Sequence, residues 1–204
     1  MSLGPKQKAK LITFLSAIVS LLSFGYKLGL GILTMSLVLM IASISTFMVF
    51  ICKIAFVRNL TATREKKKKA YLVMAIAALI YAFIFILFVV LKVNGIDISN
   101  QKTYEGLFGA LFIGFIVLMF ILSLIKLKGS LEKTDLMVIG LKEMTFVSAS
   151  ADLVIIEEFV SRIILQYQDV PYMEQINSYF CVGVGGLMLL VGIIMMIRFA
   201  RYKA

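Results

Sequence analysis

The chain has 204 residues, 61% of them hydrophobic, and a mean hydropathy of +1.02. A soluble domain is nearer half apolar, so the solvent implied is lipid, and no polar tract is long enough to fold as a domain of its own. The net charge of +10 comes from 21 Lys and Arg against 11 Asp and Glu. These basic residues flank apolar runs instead of covering a face with interleaved aromatics, which excludes nucleic acid as a partner.

A bilayer core needs about 20 apolar residues per helix. In chain order the predicted spans are Leu11–Leu33, Met35–Val57, Tyr71–Leu91, Leu107–Ile125, Leu136–Ile164 and Tyr179–Ile197. The fold class is therefore all-α, a polytopic six-transmembrane-helix bundle forming one domain over residues 1–204. Lys6, Lys8 and Lys10 precede the first run as in a signal peptide, but no small-residue cleavage site closes it, so it reads as retained. The basic residues orient the bundle. Lys6, Lys8 and Lys10, then Lys53, Arg58, Arg64 and Lys66–Lys69, then Lys126, Lys128 and Lys133, then Arg198, Arg201 and Lys203 all fall on one side if the N-terminus is cytoplasmic. Both ends are accordingly expected in the cytoplasm of a cell (plasma) membrane.

Between the spans, Val93–Glu105 with Asn94-Gly95 and Gln166–Asn177 with Pro171 read as outer loops. The Glu65–Lys69 charge run reads as a solvated inner loop, with Lys66–Lys69 near anionic lipid headgroups. Small residues recur as Gly25 and Gly29, as Gly106, Ala110 and Gly114, and as Gly183, Gly185, Gly186 and Gly192. Such stripes predict close packing within the bundle or a homodimer seam. Tyr81, Phe83, Phe85 and Phe88 read as lipid-facing or core aromatics, Cys52 and Cys181 as small packing residues, and Lys27 as snorkelling to the outer headgroups.

The fifth span differs from the others in holding Lys142, Glu143, Thr145, Ser148, Ser150, Asp152, Glu157, Glu158 and Arg162. Helical spacing puts Thr145, Ser148 and Asp152 on one face and Glu143, Ser150 and Glu157 on another. In the simplest reading Glu158 pairs with Arg162 at the outer surface, Lys142 and Glu143 sit at the inner surface, and Asp152 alone is within the membrane. In a second, Asp152, Ser148 and Thr145, joined by Ser45 of the second span, line a pathway for a cation or proton. Glu143, Glu157, Glu158 and Arg162 then form a secondary polar cluster.

Two family resemblances bear on this span. Glu157-Glu158-Phe159-Val160-Ser161-Arg162 matches EExxxR, the first motif of the membrane-embedded CAAX-type and bacteriocin-processing proteases. That family also needs histidines in later motifs, and this chain has none, so no enzyme, no cofactor and no resident metal are expected. The overall layout resembles the transmembrane domain of cation-efflux proteins, the cation diffusion facilitators. Tyr26-Lys27-Leu28-Gly29-Leu30-Gly31, leading to Thr34-Met35-Ser36-Leu37, is similar to the family's lysine, glycine and "GSLAL" pattern. Val147-Ser148-Ala149-Ser150-Ala151-Asp152 is similar to its "LHSLAD" stretch. The resemblance implies six helices with a tight outer turn between the first two. It places the family's zinc ligands at Ser45 and Val49, and at Ser148 and Asp152. One carboxylate with serines is not a zinc donor set, so the resemblance implies a different solute. The alternative is a non-transporting scaffold or immunity-type protein whose bundle or loops bind a partner.

Overall fold

The structure is a computed structural model that describes residues 5–94, 107–128, 135–167 and 172–202. It is all-helical, in the order α1 (Pro5–Leu33), α2 (Leu37–Asn59), α3 (Arg64–Val93), α4 (Leu107–Lys128), α5 (Leu136–Tyr167) and α6 (Met173–Arg201). Four stretches are long and apolar enough to cross a membrane: Gln7–Leu33, Leu37–Asn59, Arg64–Leu91 and Gln175–Arg201. Leu22, Val73, Phe83 and Tyr179 stand on the outer surface at 64–76% exposure, among many other exposed apolar side chains. Apolar surface on this scale belongs against acyl chains, and the protein is membrane-embedded.

The helices outrun the predicted spans because helix and hydrocarbon core end at different places. α6 begins at Met173, six residues before Tyr179, and α5 continues to Tyr167, so both ends of the expected Gln166–Asn177 loop are helical. Pro171, and residues 95–105 of the other outer loop, lie outside the described residues. The Lys66–Lys69 run is also helical; it forms the first turns of α3, which starts at Arg64. Lysines at a helix N-terminus oppose the helix dipole. Partners offset this: Lys67 Nζ pairs with Asp135 Oδ2 at 2.6 Å, and Lys68 Nζ donates to the Tyr202 carbonyl at 2.6 Å, where α6 ends. Only Lys66 and Lys69 of the four are fully exposed.

The core is a seam between α3 and α6. On α3, Tyr71, Ala75, Ala78, Ala82, Phe85 and Val89 follow one another at steps of four and three, and all are buried. On α6, Cys181, Val184, Met188, Val191 and Met195 repeat the same steps and are also buried. Alternating threes and fours keep one face of each helix turned to its partner. Gly185 and Gly192 let α6 approach: a Cβ at Gly192 would lie 2.7 Å from Leu79 Cδ2. Gly140 of α5 does the same against the Tyr71 ring, a close approach the small-residue stripes did not include. Gly25, Gly29, Gly114, Gly183 and Gly186 meet nothing within 4 Å, so packing within the bundle does not explain those glycines. Gly106 and the Ala110 side chain lie outside the described set. Tyr81, Phe85 and Phe88 are buried, whereas Phe83 faces outward.

α5 packs against α2, α3, α4 and α6 and is the hub of the bundle. Among the described residues α1 packs against α2 alone. The link between α1 and α2 is a tight turn. Ser36 N donates to Gly31 O at 2.8 Å and Met35 N to Ile32 O at 3.3 Å, a Schellman closure with Met35 in the left-handed region at φ 53°. Ser36 Oγ then accepts from Leu39 N and caps α2. Gly31 is required here, since a Cβ would stand 3.1 Å from Met40 N and 3.0 Å from Met40 Cγ. Met35 is 71% exposed, so its side chain contributes little packing to set against its backbone cost. Met35→Gly is therefore expected to stabilise the protein by about 1 kcal/mol, and Gly31→Ala to destabilise it by about 1–3 kcal/mol through overpacking. Thermal unfolding of the purified variants in detergent checks both signs.

Candidate functional site

Polar side chains on α5 fall at three levels along its axis. Nearest its start, Glu143 is buried between α3 and α6. Tyr71 Oη donates to Glu143 Oε2 at 2.9 Å, and Arg198 Nη1 pairs with Glu143 Oε1. Glu143 is 4% exposed, and an arginine and a tyrosine from two other helices compensate its charge. Lys142 beside it is half-buried.

The middle level lies nine residues on, about 13 Å along the helix at its normal rise. Here Lys27 Nζ stands 2.6 Å from Asp152 Oδ1, 2.7 Å from Asp152 Oδ2 and 3.0 Å from Thr46 Oγ1. The three ammonium protons thus have three acceptors. The side chains of Lys27 and Asp152 are 6% and 13% exposed. Lys27 does not snorkel to the outer surface, as its position near the end of α1 suggested; it reaches inward past α2 to α5. Burying a lone lysine or a lone aspartate in this setting costs far more than burying the two together.

Hydroxyls surround the pair. Thr46 Oγ1 donates to Ala42 O at 3.1 Å while accepting from Lys27, and Ser45 Oγ donates to the same carbonyl at 2.7 Å. Ser45 Oγ lies 2.9 Å from Ser148 Oγ. With the Ser45 proton committed to Ala42, Ser148 is the donor of that contact. Tyr81 of α3 donates to Ile41 O at 3.1 Å, next to Ser45. Ser45 and Ser148 therefore touch about one helical turn from Asp152, and Thr46 is the hydroxyl that bonds the pair directly. Thr145 does not join them, since its hydroxyl turns back to Leu141 O at 2.7 Å.

Toward the other end of α5, Ser161 Oγ lies 2.9 Å from Glu157 Oε1 and 2.8 Å from Asn177 Oδ1 of α6. Glu158 is buried, and the Arg162 side chain, its expected partner, lies outside the described residues. Glu143, Ser150 and Glu157 do not act as one face: Glu143 points to α3 and α6, Ser150 bonds Phe146 O of its own helix, and Glu157 bonds Ser161. A further tie holds α1 to α2, where Lys53 Nζ donates to Ser16 O, Ser16 Oγ and Ser20 Oγ at 2.7–3.0 Å.

Compared with protein-family models, with curated proteins and with solved structures, the chain matches none of them. The site accordingly has to be read from its own chemistry. One carboxylate, one ammonium and the Thr46 hydroxyl, with Ser45 and Ser148 alongside, make a neutral polar island in the middle of an apolar bundle.

Sequence reasoning found Asp152, Ser148, Ser45 and Glu143 and missed Lys27, Thr46, Tyr71, Tyr81 and Arg198 as their partners. The usable signal was Lys27 itself, the one charge inside an otherwise apolar stretch of α1. At the level nearest the start of α5, Arg198→Met leaves Glu143 buried without its counter-charge and is expected to cost about 3 kcal/mol. Tyr71→Phe removes one bond to a charged acceptor and is expected to cost about 1.5–3 kcal/mol. Unfolding of both variants in detergent reads these losses.

Proposed function

We propose that this protein spans the plasma membrane six times, with both ends cytoplasmic, and moves a cation or proton past Asp152. The reading is carried by one observation: a buried carboxylate at mid-helix on the hub of the bundle, balanced by a lysine from a peripheral helix. An ionisable group placed so deep is costly to keep, and in membrane proteins such groups mark ion and proton pathways. The hydroxyls of Ser45, Thr46 and Ser148 are hard, neutral oxygen donors. With a single carboxylate they suit a weakly held cation or a proton and lack the nitrogen, sulfur or additional carboxylate ligands that zinc takes. The Glu143–Arg198–Tyr71 cluster seals the inner level of the same helix.

In this reading the protein is a transporter and not an enzyme, and the resemblance to cation-efflux proteins is a proposal about its ancestry. The exposed Lys66 and Lys69 meet anionic headgroups. A second reading, a scaffold that binds a partner, is favoured by the completeness of the Lys27–Asp152 pair, which would then be a structural pin. Flux measurements on reconstituted vesicles separate the two. With protons and with lithium, sodium and potassium as probes, Asp152→Asn is expected to abolish uptake, and so is Lys27→Met/Asp152→Asn, which leaves no lysine buried without its carboxylate and keeps the wild-type elution profile in detergent. Wild-type uptake by Asp152→Asn would remove the transport assignment, and recovery of a protein partner from gentle extracts would then support the scaffold.

A further inference from the structure

Lys27 Nζ occupies a three-oxygen cradle formed by Asp152 Oδ1, Asp152 Oδ2 and Thr46 Oγ1 at 2.6–3.0 Å. We infer that this cradle is the ion site itself and that the lysine ammonium is its built-in occupant, displaced by one incoming positive charge. This rests on the transport reading of Asp152 and names the class of solute: a singly charged cation, either an alkali ion or a proton. The charge count selects it. Asp152 with one ammonium is neutral, and Asp152 with one monovalent cation is neutral again, whereas a divalent ion would leave a buried excess positive charge.

The displaced ammonium has somewhere to go. Lys27 lies six residues from the end of α1 at Leu33, about 9 Å, and a lysine stem can carry its head toward the headgroups from there. Each exchange would also release a tie between α1 and α5, because among the described residues α1 packs against α2 alone and Lys27 reaches past it to the hub. The other groups around Asp152 do not supply a competing charge. Tyr81 of α3 is the titratable group within electrostatic reach. Lys53 of α2 lies seven residues beyond Thr46, about 10 Å, and is held by Ser16 and Ser20. α4 has no ionisable residue before Lys126, and between Glu174 and Arg198 α6 carries Tyr179 and Cys181 but no acidic or basic side chain.

The test is thermal unfolding of the full chain in detergent as wild type, Lys27→Met and Lys27→Met/Asp152→Asn. Each is measured in choline, lithium, sodium and potassium chloride at constant ionic strength, and across a pH series. Removing the competitor raises the fraction of open sites, so Lys27→Met should respond to its ion at a concentration at least about tenfold lower than wild type. An alkali ion as solute raises the melting temperature of Lys27→Met above its value in choline. A proton as solute makes that temperature fall as pH rises. The double variant should show no alkali-ion response and only the pH response of the groups other than Asp152. A Lys27→Met protein as flat as the double variant overturns the inference, even where Asp152→Asn has lost flux and the transport reading stands.

If Lys27→Met does not fold, wild type gives the answer through amine labelling read by peptide mass spectrometry. Labelling of Lys27 relative to the exposed Lys66 should rise at least about threefold with the displacing ion, by the same population arithmetic. A constant ratio under every cation and pH overturns the inference.

Discussion

An ammonium and a carboxylate that lipid cannot solvate constrain this bundle at its centre. Lys27 and Asp152 belong to helices that do not pack against each other, and each can be buried only because the other is there. That requirement fixes the rotation of α1 about its axis, the side of α2 that carries Thr46, and the face of α5 turned toward both. Replacing the pair with well-packed apolar residues need not reduce stability, so stability alone is a weak reason for its presence. The pair makes more sense as a specificity device or a functional group than as glue.

The remaining architecture separates two kinds of packing. The α3–α6 seam is apolar, built from alanines, methionines and valines at steps of three and four, with Gly185 and Gly192 setting the distance. It has no driving force from water within a bilayer and depends on close contact. α5 does the opposite. Its ties to neighbouring helices are polar and spaced along its length: Glu143 to α3 and α6, Ser148 to α2, Asp152 to α1, Ser161 to α6. A helix held by discrete bonds has discrete alternatives when one of them breaks, which is the property a moving element needs.

Much of the fold was legible in the sequence: its apolar runs all fall on helices, four of which are long and apolar enough to cross a membrane, and the tight α1–α2 turn is the one the family resemblance implied. Helix ends were less legible. Hydropathy marks where lipid stops and says nothing of a helix that continues beyond it, as α3 does through Lys66–Lys69. The exceptional character of α5 was readable from its charges, and Asp152, Ser148 and Ser45 could be placed together. Partners were not. Lys142 lies ten residues from Asp152 on one helix, about 15 Å and too far to pair, but pairing across helices depends on rotation about each axis, which periodicity does not supply in spans that are apolar all round. The rule that intramembrane charges pair with one another would have joined Lys27 to Asp152 without any geometry. The snorkelling assignment obscured it. Small-residue stripes were a mixed guide for a related reason: Gly25 and Gly29 have the right spacing but meet nothing within 4 Å, whereas Gly140, isolated in sequence, approaches its neighbour as closely as Gly192 of the sixth-span stripe does.

Lys27 and Asp152 form one buried pair on which the seating of α1 depends. The most direct test is a charge swap, with Lys27→Asp, Asp152→Lys and the doubly exchanged protein compared by thermal unfolding in detergent. The account predicts that each single reversal lowers the melting temperature sharply and that the exchanged pair recovers most of the loss. An exchanged protein no more stable than the weaker single variant would show that the two side chains do not depend on each other, and would contradict it.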